Sequence, residues 1–124
     1  MLQYLNTDLV LCSDQNHAEL IDFLASKGFI VLWSDLSEDG FWWSNLEIDD
    51  TLHNPEATIM MMLSVLDHLP EPQRLIWDGL LQRTLDIGYE SGTEPRSMTH
   101  DLSVGTLKRI AALDTAIKIT LYAM

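Results

Sequence analysis

The chain has 124 residues, 47% of them hydrophobic, which suits one folded domain spanning residues 1–124 and excludes a disordered chain. Seven Lys and Arg stand against 19 Asp and Glu, a formal charge of −12 that argues against nucleic acid and anionic membrane as partners. No apolar run reaches the ~20 residues that span a bilayer. MLQYLNTDLVLC lacks the basic start of a signal peptide, and Cys12 is the one cysteine, so a reducing cytoplasm is the expected location.

LNTDLVLCS (5–13) is rich in Leu and Val and predicts a first strand. Asn16 and Glu19 have the spacing of a capping box, and Ala18, Ile21, Leu24 and Ala25 then recur at helical spacing up to Lys27-Gly28. FIVLWS (29–34) is a nearly continuous run of β-formers and predicts a buried strand. SEDG (37–40) makes a turn into a strand FWWSNLEI (41–48). Asn54-Pro55 reads as N-cap and first residue of a helix that carries Ile59, Met62, Leu63 and Leu66 and stops before Pro70. EPQRLIWDGLLQR (71–83) predicts a further helix, and RTLDIGYES (83–91) a fourth strand with Gly88 at a bulge. Residues 90–100 hold Gly, Pro, Ser and Thr and predict a surface loop. Ser103 caps a last helix, and AIKITLYA (116–123) alternates as a closing strand. The order predicts an α+β fold: a single-layer, mostly antiparallel sheet with helices mainly on one face, in which a ferredoxin-like βαββαβ core is extended by extra helices and a C-terminal strand.

The residues that would carry a reaction are hard to find. The six glycines are scattered and make no phosphate loop, and no G-x-S-x-G occurs. His17, His53, His68 and His100 lie on separate elements, without the i, i+4 spacing of a helical zinc site. Met60, Met61 and Met62 point in different directions on a helix, so filling the core suits them better than a binding surface. The expectation is a protein without catalytic turnover, metal or cofactor.

Charge and aromatic rings carry the stronger signal. No Lys or Arg occurs between Lys27 and Arg74, a stretch that holds nine acids. Solubility alone is the plain explanation, but such a field also speeds encounter with a basic partner. In DGFWWSNLEIDD, alternation sets Trp42, Leu46 and Ile48 inward. Phe41, Trp43, Glu47 and Asp49 then face outward, aromatic at one end and acidic at the other. Exposed aromatics beside acids are what a contact on a basic protein would use, unless Trp43 packs under its own chain.

TLDIGYESGTEP followed by LSVGTLKRIAALDTAIKITLY resembles small bacterial immunity proteins of contact-dependent growth inhibition and related polymorphic toxin systems. The resemblance covers about the last 40 residues, extended loosely by the WW-containing strand and the Pro-started helix before it. It rests on scaffold features rather than on a catalytic motif. It implies a protein that binds a cognate toxin domain and blocks it stoichiometrically, with a basic nuclease, an EndoU-like RNase in particular, as the preferred partner class. The expected contact surface is Asp35, Glu38, Asp39, Phe41, Trp43, Glu47, Asp49 and Asp50, with Glu90 and Glu94 as a second patch. A competing reading is a small-molecule-binding module with a pocket lined by Trp33, Trp42 and Trp77. An acid–base enzyme ranks last, because with 19 acids some pair always looks suggestive.

Overall fold

The computed structural model describes residues 1–49 and 54–123. Among them nine elements follow in chain order: β1 Gln3–Ser13, α1 Ala18–Ser26, β2 Phe29–Leu36, β3 Trp42–Ile48, α2 Pro55–Leu66, α3 Glu71–Asp78, β4 Gln82–Glu90, α4 Val104–Ala112 and β5 Ala116–Tyr122. The strands form one mixed sheet in the order β2-β3-β1-β4-β5. β1 pairs antiparallel with β3 and β4, and β2 pairs antiparallel with β3. β5 joins β4 in parallel, which requires a crossover, and α4 supplies it. The chain is α+β, with five strands and four helices among the described residues.

Alternation along the strands decides which face is core. Leu9 and Leu11 of β1 lie in register with Leu46 and Ser44 of β3, and Leu9 with Leu85 of β4; all are buried. These residues, with Ile48 and Ile87, meet Leu20, Leu24, Ile59, Met62, Leu63, Leu66, Trp77 and Ile110 from the helices in one apolar cluster. Trp77 is its largest buried side chain, 1% exposed, and its Nε1 donates to the Leu113 carbonyl at 3.1 Å. The ring thus ties α3 to the end of α4. Arg109 on α4 reaches back to Asp67 at the end of α2, 2.7 Å away.

Caps and turns explain several boundaries. Asn54 accepts from the Ala57 amide and Ser103 from the Thr106 amide, so both predicted N-caps form. Gly28, at φ +105°, closes α1 where a side chain would be strained. Of the methionine run only Met62 is buried, while Met60 and Met61 remain exposed.

Four expectations need correction. The predicted capping box does not form: His17 is the N-cap of α1, and Asn16 accepts instead from Ala18, two residues on. The helix expected over 71–83 stops at Asp78, because Gly79 caps it and the Leu81 amide turns to the Cys12 carbonyl at 2.8 Å. The bulge expected at Gly88 sits on the facing strand, between Tyr4 and Asn6, where Asn6 stands in register with Gly88. The Asn6 side chain closes so tightly over Gly88 that an added Cβ would lie 2.7 Å from its Oδ1. Finally, FIVLWS is not a buried strand. β2 lies at one edge of the sheet, and of Phe29–Leu36 only Phe29 is buried. A run of β-formers fits an edge as well as a centre, and periodicity cannot tell them apart.

One polar chain threads the core side of the sheet. His17 Nε2 meets Ser44 Oγ at 2.7 Å, and Ser44 Oγ meets Ser34 Oγ at 2.8 Å. Burial pushes the His17 pKa down, so the imidazole is held neutral.

Two outcomes follow for stability. Trp77→Ala removes both the largest core ring and a donor, and should cost about 3–5 kcal/mol in urea denaturation. For His17 the folded pKa lies below the unfolded 6.5, so its contribution is complete above 6.5 and falls as pH drops through that value. Replacing His17 with a residue that does not titrate should flatten that part of the pH–stability curve.

Candidate functional site: the open face of the sheet

The sheet face opposite the core carries the chemistry. Residues in register share a face, so the ladders define rows that cross all five strands. One row runs Ile30, Glu47, Asp8, Asp86, Lys118. Glu47 and Asp8 enter it one step beyond the Leu46–Leu9 pair of the same ladder. Three carboxylates therefore stand side by side on β3, β1 and β4, with a lysine at one end and an isoleucine at the other. The next row is Trp33, Asn45, Val10, Thr84, Ala116, and the one after it is Asp35, Trp43, Cys12, Gln82.

The middle carboxylate feels this crowding. Asp8 is half-buried, and its pKa is pushed up to about 6, first by burial and then by the negative charge of Glu47 and, more weakly, Asp86. A hydrogen bond from Asn45 and one from Asn6 Nδ2 at 3.3 Å hold its oxygens, and the Asn45 bond works against the rise. Asp86 accepts from the Thr120 hydroxyl at 2.7 Å. Beside Asp8, the Asn45 Oδ1 is buried and accepts no hydrogen bond. An orphaned buried acceptor costs about 1–3 kcal/mol. Two unfavourable features thus sit on neighbouring residues of one open surface.

The expected contact residues divide into groups. Asp35, Trp43 and Glu47 stand on this face. Trp43 is half-buried, and its indole donates to Asp39 Oδ2 at 2.9 Å, so Asp39 holds the ring in place and also accepts from the Phe41 amide. Phe41, Glu38 and Asp49 are exposed. Asp50 lies outside the described residues. Glu90 belongs to the opposite end of the sheet, where β1 begins, and its carboxylate accepts from Gln3 Nε2 at 2.8 Å. Glu94 is exposed in the following loop, whose backbone carbonyl there takes the Leu2 amide at 2.9 Å.

Asn45 stands on the outward face that alternation predicts for its strand, whereas Asp8 and Asp86 are not among the expected contacts, although a signal is present. LDIGY sets its acid between Leu85 and Ile87, and TDLVL sets Asp8 between Thr7 and Leu9, residues that alternate into the core. Trp33 also belongs to the open face, 47% exposed, rather than to a shared pocket. Trp42 points to the core face opposite Leu36 and Ser13, and Trp77 is sealed under α4. The three rings expected to line one cavity occupy three separate places.

Other groups offer less. Burial pushes the Cys12 thiol up, away from reactivity. Among the described residues no three His, Cys, Asp or Glu side chains converge as a metal site. Among the described residues no helix is long and apolar enough to cross a membrane. A cavity of about 350 Å³ opens between Leu2, Tyr89, His100, Ile119 and Leu121, and there the Tyr89 hydroxyl meets His100 Nδ1 at 3.2 Å. No family model, curated protein or solved structure matches this chain.

The Asp8 environment gives a signed prediction. Its folded pKa is raised above the unfolded 3.8, so its favourable contribution holds below 3.8 and is lost as pH rises to about 6. Asp8→Asn should match the wild type near pH 4 and exceed it at pH 7. With solvent screening, the gain is of the order of 1 kcal/mol. Chemical denaturation of both proteins at the two pH values checks it, and equal stabilities at pH 7 would contradict the assigned environment.

Proposed function

We propose that the protein is a stoichiometric inhibitor that uses the open sheet face to hold a basic partner, and that it is an immunity protein against a nuclease toxin domain. The observation that carries the reading is the row Glu47, Asp8, Asp86, with Asp8 half-buried between the two other acids. A guanidinium has N–H donors in a planar fork and a permanent charge. Set over Asp8, it would stabilise the ionised carboxylate. Trp33, Trp43 and Phe41 supply apolar contact around that point, and Asp35 and Glu47 extend the negative field. The charge of −12 would accelerate encounter, while the buried contacts would set the dissociation rate.

The resemblance of the C-terminal half to immunity proteins supports the same class, and a nuclease groove built for a polyanion is the natural match for an acidic face. An RNase of the EndoU-like type remains the preferred toxin. We also read β1 to β4 with α1 and α2 as a ferredoxin-like core, with β5 added in parallel beyond β4. Helices gathered on one side would leave the other side of the sheet for a partner. A reducing cytoplasm is where such an inhibitor would act.

The test is co-expression with the toxin domain encoded beside the gene. A complex that survives about 0.5 M salt, where surface charge is well screened, is expected, together with protection from toxicity. Trp43→Ala and Glu47→Lys should each weaken it at least tenfold without loss of fold. Binding should also tighten as pH rises from 5 to 7, because the partner's cation favours ionised Asp8. Absence of any complex, or full affinity in both variants, would remove this reading.

A further inference from the structure

β2 is the least protected part of the sheet. It ends the sheet on one side, so its outward amides and carbonyls have no neighbouring strand among the described residues. Of its eight residues, Ile30, Val31, Leu32, Trp33 and Leu36 are exposed, Leu32 at 48%. Edge strands are usually guarded by a charge or a proline, and an unguarded apolar edge is a template for another strand. The opposite edge has its guard, since Lys118 stands in the middle of β5. The one charge within β2 is Asp35, next to its last residue, and residues 29–34 contain none, in a chain with 19 acids.

Charge at the two ends of β2 says what completes it. Lys27 is the sole Lys or Arg in the first 73 residues, and it lies two positions before the strand. Glu38 and Asp39 lie just past its other end, in the turn to β3. An antiparallel copy of β2 would bring the start of one strand beside the end of the other. The phase of the side chains fits as well. Phe29 and Val31 face the core side, and so do Ser34 and Leu36, because the irregularity between Val31 and Trp33 shifts the alternation by one residue. A self-pairing that sets Phe29 against Leu36, Ile30 against Asp35 and Val31 against Ser34 therefore matches face to face at these pairs, with Leu32 and Trp33 of the two copies meeting at the centre. The same ladder, carried two steps further, sets Lys27 of each copy against Glu38 of the other. A bulge on an edge often turns the strand away from neighbours; here it brings the two copies into phase.

We propose that β2 is a homodimer interface, in which two copies pair their β2 strands antiparallel about a two-fold axis and close the pairing with two Lys27–Glu38 contacts. The occupant is a second copy because the strand ends complement one another and the middle is uncharged. The arrangement is isologous and closed, so it consumes the edge instead of propagating it. It leaves the three acids Glu47, Asp8 and Asp86 free, since they lie on β3, β1 and β4, and does not depend on the inhibitor reading.

Sedimentation equilibrium of the full chain at ~0.15 M salt, a range where charges beyond ~8 Å are screened, tests it. The expected mass is twice the 14.1 kDa of one chain. Leu32→Lys should give the monomer, since it puts two lysines in the middle of the interface. Lys27→Glu should weaken the dimer by about tenfold or more, and Lys27→Glu combined with Glu38→Lys should restore it, because the swapped charges again face each other. All three substituted positions are exposed, and unchanged circular dichroism will show that the variants fold. A wild-type monomer up to ~100 μM, a range that would place any dimer Kd above that value, overturns the proposal. So does a dimer indifferent to Leu32→Lys and to the charge reversal, which would put the contact on another surface.

Discussion

The register of β1 is the constraint from which the rest of the molecule follows. It is the central strand, paired on both sides, and its alternation sends Leu9 and Leu11 into the core while Asp8 and Val10 go to the other face. Sliding it by one residue would bury Asp8 and expose both leucines, so burial of the leucines locks the acid in place. The unfavourable position of Asp8 is thus enforced by the most favourable contacts in the sheet. Its neighbours Glu47 and Asp86 arrive by the same logic on flanking strands, each between residues that must be buried. The carboxylate row is a by-product of core alternation only in its geometry. The choice of three acids for those three positions is not forced by packing.

Much of the fold was legible because its signals are local. Asn54 and Ser103 announce their helices through capping chemistry, Gly28 through its positive φ, and the strands through runs of β-formers. What was not legible depends on contacts distant in sequence. FIVLWS reads as buried because apolar β-formers do not encode whether a strand has one neighbour or two. Leu80 and Leu81 continue a helical pattern, yet the Leu81 amide is claimed by Cys12 across the start of the sheet. The site follows the same division. Trp43 and Glu47 were found from alternation within one strand, whereas Asp8 and Asp86 gain meaning only once β1, β3 and β4 lie side by side.

The two sheet edges and the open face divide the work that an acidic chain must do. Like charge keeps copies apart, which protects solubility but opposes any self-contact. The uncharged stretch of β2 is the place where that opposition is weakest, and Lys27 is placed next to it. The open face does the reverse, concentrating acids where a basic molecule could offset them. The two surfaces meet at β2, where Trp33 and Asp35 belong both to the strand and to the open face.

The distribution of the four tryptophans has an optical consequence. Trp77 sits dry in the core with its indole donated to Leu113, while Trp33 stands half in water at the sheet edge and Trp43 is pinned to Asp39 on the open face. Their emission should therefore be a composite, with a blue component from the sealed ring and a red one from the wetted rings. Unfolding would shift the first, and occupation of the outer surfaces would shift only the second. The protein carries its own pair of built-in dyes, one that reads its interior and one that reads its company.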